Sequence, residues 1–277
     1  MPLAKFQQHS KNGPEVAYHN SGELRFYSDI PALCEFTDNP RKTGLNKDKQ
    51  KELIHGYYAA TSYTDAQVGI LLNTLDSLGV LNNTIIVLWG DHGWHLGDHD
   101  LWNKHTNFEQ AARSPLIIYA PSYKSAKTKS MSEFIDIFPT ICDLAGLNIP
   151  EYLDGKSLKP IMNNAKVVIK EFAISQYPRA YIDAKSDTTF ERLGYSLGNV
   201  MGYSLRTETY RYTLWIKDNY RSYLPFNNNL VIARELYDYK KDPLETVNVV
   251  DEKKYSKVTN ELNEKLLAFF KSQLENK

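Results

Sequence analysis

Residues 84–105 decide the fold of this 277-residue chain, and they read TIIVLWGDHGWHLGDHDLWNKH. The first six residues are mostly apolar and β-branched, a pattern that predicts a β-strand buried on both faces. The rest of the stretch carries carboxylates, imidazoles and a lysine. Because ligands collect at the carboxyl ends of strands in an open α/β sheet, we expect Asp91 and His92 at the rim of a site.

Asp91 and His92 suit a hard divalent cation, which binds carboxylate oxygens and accepts a neutral imidazole. A calcium ion takes about six to eight ligands, so most ligands of such a site have to come from elsewhere. Lys104 adds an ammonium that can stabilise charge on a tetrahedral anion. The structural alternatives are that Asp91 caps a turn, that His92 is a hydrogen-bonded loop residue, and that Lys104 is a solvated surface lysine.

Other polar residues have open roles. His95, His99 and His105 are compatible with a zinc site, although no His-x-x-x-His pair falls on a predicted helix. Arg179 can hold a substrate carboxylate in a bidentate pair, or it can form a structural salt bridge. The sequence alone leaves both alternatives open.

The pattern along the chain predicts three regions. Residues 1–47 are polar and irregular, and we expect a surface segment. Residues 48–165 alternate helical and strand patterns, typical of a mostly parallel sheet with helices on both faces, and they include the site loop 90–105. Residues 166–277 alternate Tyr, Arg, Thr and Trp, which predicts a small antiparallel sheet, and they end in an amphipathic helix at 251–276.

Several longer motifs accompany the site loop. They are YAATSYTDAQVG at 58–69, GDHGW at 90–94 with Lys104, DIFPT at 136–140, QYPR at 176–179, MGYSLRT at 201–207 and ELYD at 235–238. Together they resemble the sulfatase family, and within it the group that includes iduronate-2-sulfatase. The resemblance covers nearly the whole chain from about residue 48. It implies an alkaline-phosphatase-like α/β fold that lacks its N-terminal strands.

The resemblance also implies roles for individual residues. Asp91 and His92 correspond to two ligands of the family's calcium ion. Lys104 corresponds to the lysine that contacts the sulfate group, and we expect Lys104 and His92 to act in catalysis. Trp94, Lys104 and Arg179 are expected to bind the substrate.

The family's nucleophile is a formylglycine, made from a cysteine or serine in a Cys-x-Pro-Ser-Arg type segment. Neither Cys34 nor Cys142 is followed by the required proline and arginine, and the family's N-terminal pair of metal-binding aspartates has no match here. We therefore expect the formylglycine and the remaining calcium ligands to lie in an N-terminal sulfatase segment outside this sequence. This chain alone is then expected to be inactive.

The function that the resemblance implies is hydrolysis of sulfate esters on a sulfated sugar or glycosaminoglycan. One alternative is a non-catalytic remnant that binds calcium or a sulfated glycan, and another is a related phosphoryl or phosphonate hydrolase. Family members of this kind imply a periplasmic, extracellular or lysosomal location, although the chain begins without a recognisable signal peptide.

Composition excludes two classes of partner. The chain has 33 Lys and Arg residues against 33 Asp and Glu residues, so its charge does not favour nucleic acid. No apolar run approaches the roughly 18 residues that a membrane span requires. The two cysteines do not make a disulfide framework and do not define a redox compartment.

Overall fold

The structure is a computed structural model that describes residues 1–19, 21–30, 44–179, 199–218 and 220–275, without the side chain of Arg25. Cys34 lies outside these ranges. The chain divides into two compact units. The first comprises Met1, Lys51–Asp91 and Ser114–Ala173, and the second comprises Pro2–Gln50, His92–Arg113 and Ile174–Lys277. The second unit thus combines an N-terminal segment, most of the site loop and the C-terminal region, which the sequence pattern had assigned to separate regions.

The helices and strands follow in chain order. The α-helices are α1 Lys47–Ser77, α2 Glu109–Ala112, α3 Ile137–Leu144, α4 Lys159–Asn163 and α5 Ser256–Glu275. The strands are β1 Ile86–Trp89, β2 His95–Leu96, β3 Trp102–Asn103, β4 Leu116–Tyr119, β5 Ala173–Arg179, β6 Val200–Arg206, β7 Tyr210–Ile216 and β8 Val231–Asp238. Within the described ranges, no helix combines the length and apolarity needed to cross a membrane.

Strand β1 pairs with β4 in antiparallel orientation, with Ile86 opposite Tyr119 and Trp89 opposite Leu116. The sequence pattern predicted a mostly parallel sheet here, and the described strands do not confirm it. Parallel neighbours need a crossover connection over one face of the sheet. In this chain β4 instead runs back beside β1. The prediction that β1 is buried on both faces is also wrong, since Trp89 is 50% exposed.

The first unit exposes large apolar side chains. Ile117 of β4 is 61% exposed and Leu71 of α1 is 66% exposed, and Ile54 is the buried residue of α1. The other exposed apolar residues of this unit include Ile70, Leu78, Phe138, Leu147 and Tyr152. Single exposed apolar residues are ordinary, but so many on one unit are typical of a surface that binds another chain.

The second unit contains a four-stranded sheet in the order β5-β6-β7-β8. Strand β7 pairs in antiparallel orientation with both β6 and β8, which confirms the antiparallel sheet predicted for the C-terminal region. Helix α5 confirms the predicted terminal helix. It buries Leu262, Leu266 and Phe270, at a spacing of four residues that keeps them on one face. The neighbouring Phe269 is only half-buried.

The N-terminal residues contribute to the core of the second unit. Ala17 and Tyr18 are buried in a cluster that includes Phe108, Trp215 and Tyr237. The Tyr18 hydroxyl accepts a hydrogen bond from the backbone N–H of Ser10 at 2.8 Å, so the whole ring can be buried without losing a polar partner. This part of the segment 1–47 is irregular, as predicted, but it does not lie on the surface.

Strand β6 passes very close to the core at Gly202. A Cβ atom on Gly202 would lie 2.5 Å from the ring of Trp215 and 2.7 Å from Nδ2 of Asn107. The same Nδ2 donates a hydrogen bond to the Gly202 carbonyl at 3.1 Å. The absent side chain therefore leaves room for the Trp215 ring beside the strand.

Candidate functional site

Lys104 follows the short hairpin of β2 and β3, whose connection is closed by Gly97 at a φ of +98°. Its Nζ atom lies 2.5 and 2.7 Å from the two carboxylate oxygens of Glu23, on the 3-10 helix Gly22–Phe26. Nε2 of His105 lies 2.8 Å from Oε2 of the same carboxylate. Burial raises the pKa of Glu23, but the hydrogen bonds from Lys104 and His105 outweigh it and lower that pKa below its ordinary value. Glu23 is therefore an ionised carboxylate at neutral pH.

Trp94 and His92 lie beside Lys104. The Lys104 ammonium is 5.4 Å from the centre of the Trp94 ring, and the His92 ring stacks on the same indole at 5.7 Å. Nδ1 of His92 donates to the carbonyl of Gly93 at 2.8 Å. This bond places a proton on Nδ1 of His92, because the carbonyl oxygen can only accept. The structure thus brings together three of the residues that the sequence predicted for the site.

Arg179 is buried at the end of β5. Its guanidinium donates to the backbone carbonyls of His105, Pro178 and Ala17, and it lies 4.6 Å from the centre of the Tyr177 ring. These bonds tie β5 to the site loop. They engage the guanidinium with backbone carbonyls, so a bidentate pair with a substrate carboxylate stays a prediction.

Asp91 is an exposed residue at the end of the Lys51–Asp91 segment of the first unit. Among the residues that the structure describes, no group of three or more His, Cys, Asp and Glu side chains is placed to hold a metal ion. Calcium needs about six ligands at least. The described residues therefore do not fit a complete calcium site, and the same finding removes the support for a zinc site within these ranges.

His95 and His99 are buried side chains of the second unit. Nε2 of His95 lies 2.8 Å from Oγ1 of Thr106, and Nδ1 of His99 lies 3.3 Å from Oγ of Ser10. The His99 ring stacks on Phe108 at 4.3 Å. Burial lowers the pKa of His95 well below its ordinary value, with a contribution from His99. Burial and the nearby His9 lower the pKa of His99 to about 3. Both histidines are therefore neutral core residues.

Because of these two histidines, we expect the folded chain to lose stability in acid. Their pKa values are lower in the folded protein than the unfolded value of about 6.5, so the unfolded chain binds more protons below that pH. Each histidine contributes stability that is complete above pH 6.5 and falls by about 1.4 kcal/mol per pH unit below it, down to its folded pKa. We expect His99→Phe to remove one such contribution from the pH dependence measured by urea unfolding.

The substitution preserves the stacking on Phe108, and Ser10 keeps its hydrogen bond to the carbonyl of Glu245. Glu235 has the opposite effect on the stability of both the wild type and His99→Phe. Burial raises the pKa of Glu235 to about 7, so the stability that it contributes is lost as the pH rises through that value. The matched control is His55→Gln on the exposed surface of α1. If the free energy of unfolding changes with pH equally in wild type and His99→Phe between pH 5 and 7, His99 is not a buried neutral group.

Comparison with known proteins identifies the family. The sulfatase family model matches residues 8–147, which is half of the chain and includes Glu23, the site loop and Lys104. The chain belongs to the sulfatase family. Within this sulfatase chain, the residues that sequence reasoning missed are Glu23 and Tyr177. Glu23 carries no local signal, because it lies 81 positions from the lysine that it binds.

Two similar relatives are longer than this chain. Mouse iduronate 2-sulfatase is 31% identical over 303 residues, which cover 90% of this chain and 52% of that protein. Human iduronate 2-sulfatase is 31% identical over 286 residues, which cover 86% of this chain and 51% of that protein. The chain therefore spans about half the length of these two relatives.

Two solved structures show the fold. BT4656, in complex with its substrate D-glucosamine-2-N,6-O-disulfate, superposes with a TM-score of 0.65 and 24% identity over 100% of this chain and 60% of that chain. The phosphonate monoester hydrolase of Silicibacter pomeroyi superposes with a TM-score of 0.69 and 23% identity over 99% of this chain and 51% of that chain. At these identities the likeness concerns the fold and not the substrate.

Proposed function

We propose that this chain carries part of the active site of a sulfuric ester hydrolase that acts on a sulfated sugar or glycosaminoglycan. The observation that supports this function best is the cluster of Lys104, Trp94 and His92 beside the Glu23 carboxylate, in a chain of the sulfatase family. The ammonium offers charge to a sulfate oxygen, and the indole offers an apolar wall to a sugar ring.

In this proposal Glu23 fixes the direction of the ammonium. Because both carboxylate oxygens accept hydrogen bonds from Lys104, the lysine is held in one orientation before a ligand arrives. A preorganised charge stabilises a developing anion without reorganisation at the moment of reaction. His105 binds the same carboxylate, so the Glu23 carboxylate is itself held in place beside Lys104.

Calcium and the formylglycine are part of this proposal only because the chain belongs to the sulfatase family. Calcium, where it is bound, supplies positive charge to the sulfate oxygens, and Asp91 and His92 are proposed as two of its ligands. The described residues do not complete such a site. We therefore propose that the other ligands and the nucleophile are contributed by an N-terminal sulfatase segment.

The exposed apolar surface of the first unit supports such a partner. Trp89 and Ile117 lie on paired strands whose apolar side chains meet solvent. Burial of apolar area is worth about 25 cal/mol per Å², so contact with a complementary segment stabilises this unit. In mouse iduronate 2-sulfatase about half of the protein lies outside the part that matches this chain, and we propose that the complementary segment corresponds to that part.

Phosphonate monoester hydrolysis is the second candidate function, because a phosphonate monoester is a tetrahedral anion like a sulfate ester. Lysine charge and an apolar wall suit a tetrahedral phosphonate as well as a sulfate. A binding remnant without catalysis is the third outcome, and activity assays separate all three.

The experiment compares the purified chain alone with the chain co-expressed with an N-terminal sulfatase segment that carries formylglycine. We expect no hydrolysis by the chain alone, and we expect the pair to cleave an aryl sulfate faster than a phosphonate monoester. Asp91→Ala in the pair should abolish the calcium dependence of that activity. Faster cleavage of the phosphonate favours the second function. Sulfate cleavage by the chain alone, without formylglycine in its mass spectrum, contradicts the proposal.

A further inference from the structure

His105 lies between a carboxylate and a phenol. Its Nε2 atom is 2.8 Å from Oε2 of Glu23, and its Nδ1 atom is hydrogen-bonded to the hydroxyl of Tyr177 on β5. The three side chains are partly buried, with 17% of the imidazole and 31% of the Glu23 side chain exposed. The group is therefore ordered by its contacts and still accessible to small ligands.

The partners determine where the protons lie. Glu23 is ionised and can only accept, so Nε2 of His105 carries the proton of that bond. Burial lowers the pKa of His105 below its ordinary value, although Glu23 opposes this effect. In a neutral imidazole with a proton on Nε2, Nδ1 has a free lone pair. Tyr177 must then donate its hydroxyl proton to Nδ1.

Two cations lie next to members of this group. The Arg179 guanidinium lies 4.6 Å from the centre of the Tyr177 ring, and Lys104 binds the same carboxylate as His105. The ring of His19 lies edge-on to His105 at 5.9 Å. The Arg179 guanidinium, which lies over the Tyr177 ring, is the cation placed to favour a negative charge that develops on the Tyr177 oxygen.

We propose that Glu23, His105 and Tyr177 form a hydroxyl-activating relay, in which the Tyr177 oxygen is the general base for a hydroxyl group of a bound ligand. A hydroxyl, an imidazole within hydrogen-bond reach and an orienting carboxylate have the arrangement that activates hydroxyls in enzymes. The ligand class is a hydroxyl-bearing anion, such as a sugar sulfate whose anionic group faces Lys104.

The proton transfers balance. The ligand O–H bond breaks, its electron pair stays on the ligand oxygen, and its proton binds the Tyr177 oxygen, while the original phenolic proton moves to Nδ1 of His105. The resulting imidazolium is stabilised by the Glu23 carboxylate, and reversal of both transfers restores the group. The choice of a sugar sulfate as ligand depends on the proposed function, but the reactivity of Tyr177 does not.

Phenylmethanesulfonyl fluoride tests that reactivity in the purified chain at neutral pH. The Tyr177 oxygen forms a bond to sulfur, fluoride leaves, and the phenolic proton moves to His105. We expect Tyr177 to be sulfonylated about a hundredfold faster than Tyr63, which is 69% exposed on α1. Peptide mass spectrometry locates the label. His105→Phe should reduce the rate at Tyr177 to that of Tyr63, and Glu23→Gln should reduce it in part.

A second measurement does not depend on any variant. The ¹⁵N spectrum of His105 in the wild-type chain should show a protonated Nε2 and an unprotonated Nδ1. A proton on Nδ1 overturns the proposal, as does a Tyr177 that reacts no faster than Tyr63 in the folded chain. Because neither measurement requires sulfate hydrolysis, either result is distinguishable from failure of the proposed function.

Discussion

Replacing Lys104 with alanine is expected to lower kcat for a sulfate ester by about two to three orders of magnitude. The measurement needs the complete enzyme, in which the chain is paired with a segment that carries the nucleophile. The loss is that of one preorganised charge on the sulfate group, and it should appear in kcat more than in KM, because the charge grows in the transition state.

The same substitution should leave thermal unfolding nearly unchanged. The Lys104–Glu23 pair is partly exposed, and pairs of this kind contribute about 1 kcal/mol or less. Glu23 also keeps its bond to His105. The matched control is Lys159→Ala, which removes another lysine-carboxylate pair at Asp143 and should leave kcat unchanged. A large drop in melting temperature with normal turnover would make Lys104 a structural residue.

Arg211→Met is expected to destabilise the chain by about 3–5 kcal/mol, the cost of leaving a buried charge without its partner. Arg211 is 2% exposed, and it donates to Glu245 at 2.9 Å and to Glu109 at 2.5 Å. Glu245 is itself fully buried. Methionine preserves much of the side-chain volume, so the loss reports mainly on the charge. Since domains have about 5–15 kcal/mol of stability in total, the variant should unfold at much lower urea concentration.

The control for this prediction is Lys257→Met on α5. Lys257 pairs with Glu261 at 3.9 Å on an exposed helical face, and its loss should change the free energy of unfolding very little. A double variant, Arg211→Met with Glu245→Leu, removes both buried charges and should recover part of the lost stability. A cost below about 1 kcal/mol for Arg211→Met would show that its buried ion pairs contribute little to the free energy of unfolding.

Local patterns predicted the parts of the fold that depend on short-range order. The alternation in residues 210–216 gave β7 and its antiparallel neighbours, and the apolar spacing after residue 256 gave α5. The orientation of β1 and β4 was not predictable in this way, because strand polarity depends on where the chain travels between the strands. The burial of Tyr18 depends on a hydrogen bond from Ser10, which no periodic pattern encodes.

The site shows the same division. Trp94 and Lys104 lie on one short loop-and-hairpin segment, so their proximity follows from residues close in sequence. Glu23 and Tyr177 join them from positions 81 and 72 residues away from their partners. Contacts of that range depend on the tertiary fold. Arg179 was found by its motif, but its carbonyl partners became visible only in the structure.

Gly202 limits how this sequence can drift. A methyl group there would overlap the Trp215 ring and the Asn107 amide, so alanine is excluded unless both neighbours change as well. A single substitution at position 202 is therefore destabilising. A smaller side chain at position 215 would make room for it, but that change alone leaves a destabilising cavity in the core. A chain in which only one of these two positions has changed is less stable than the original. We therefore expect Gly202 and Trp215 to be inherited together.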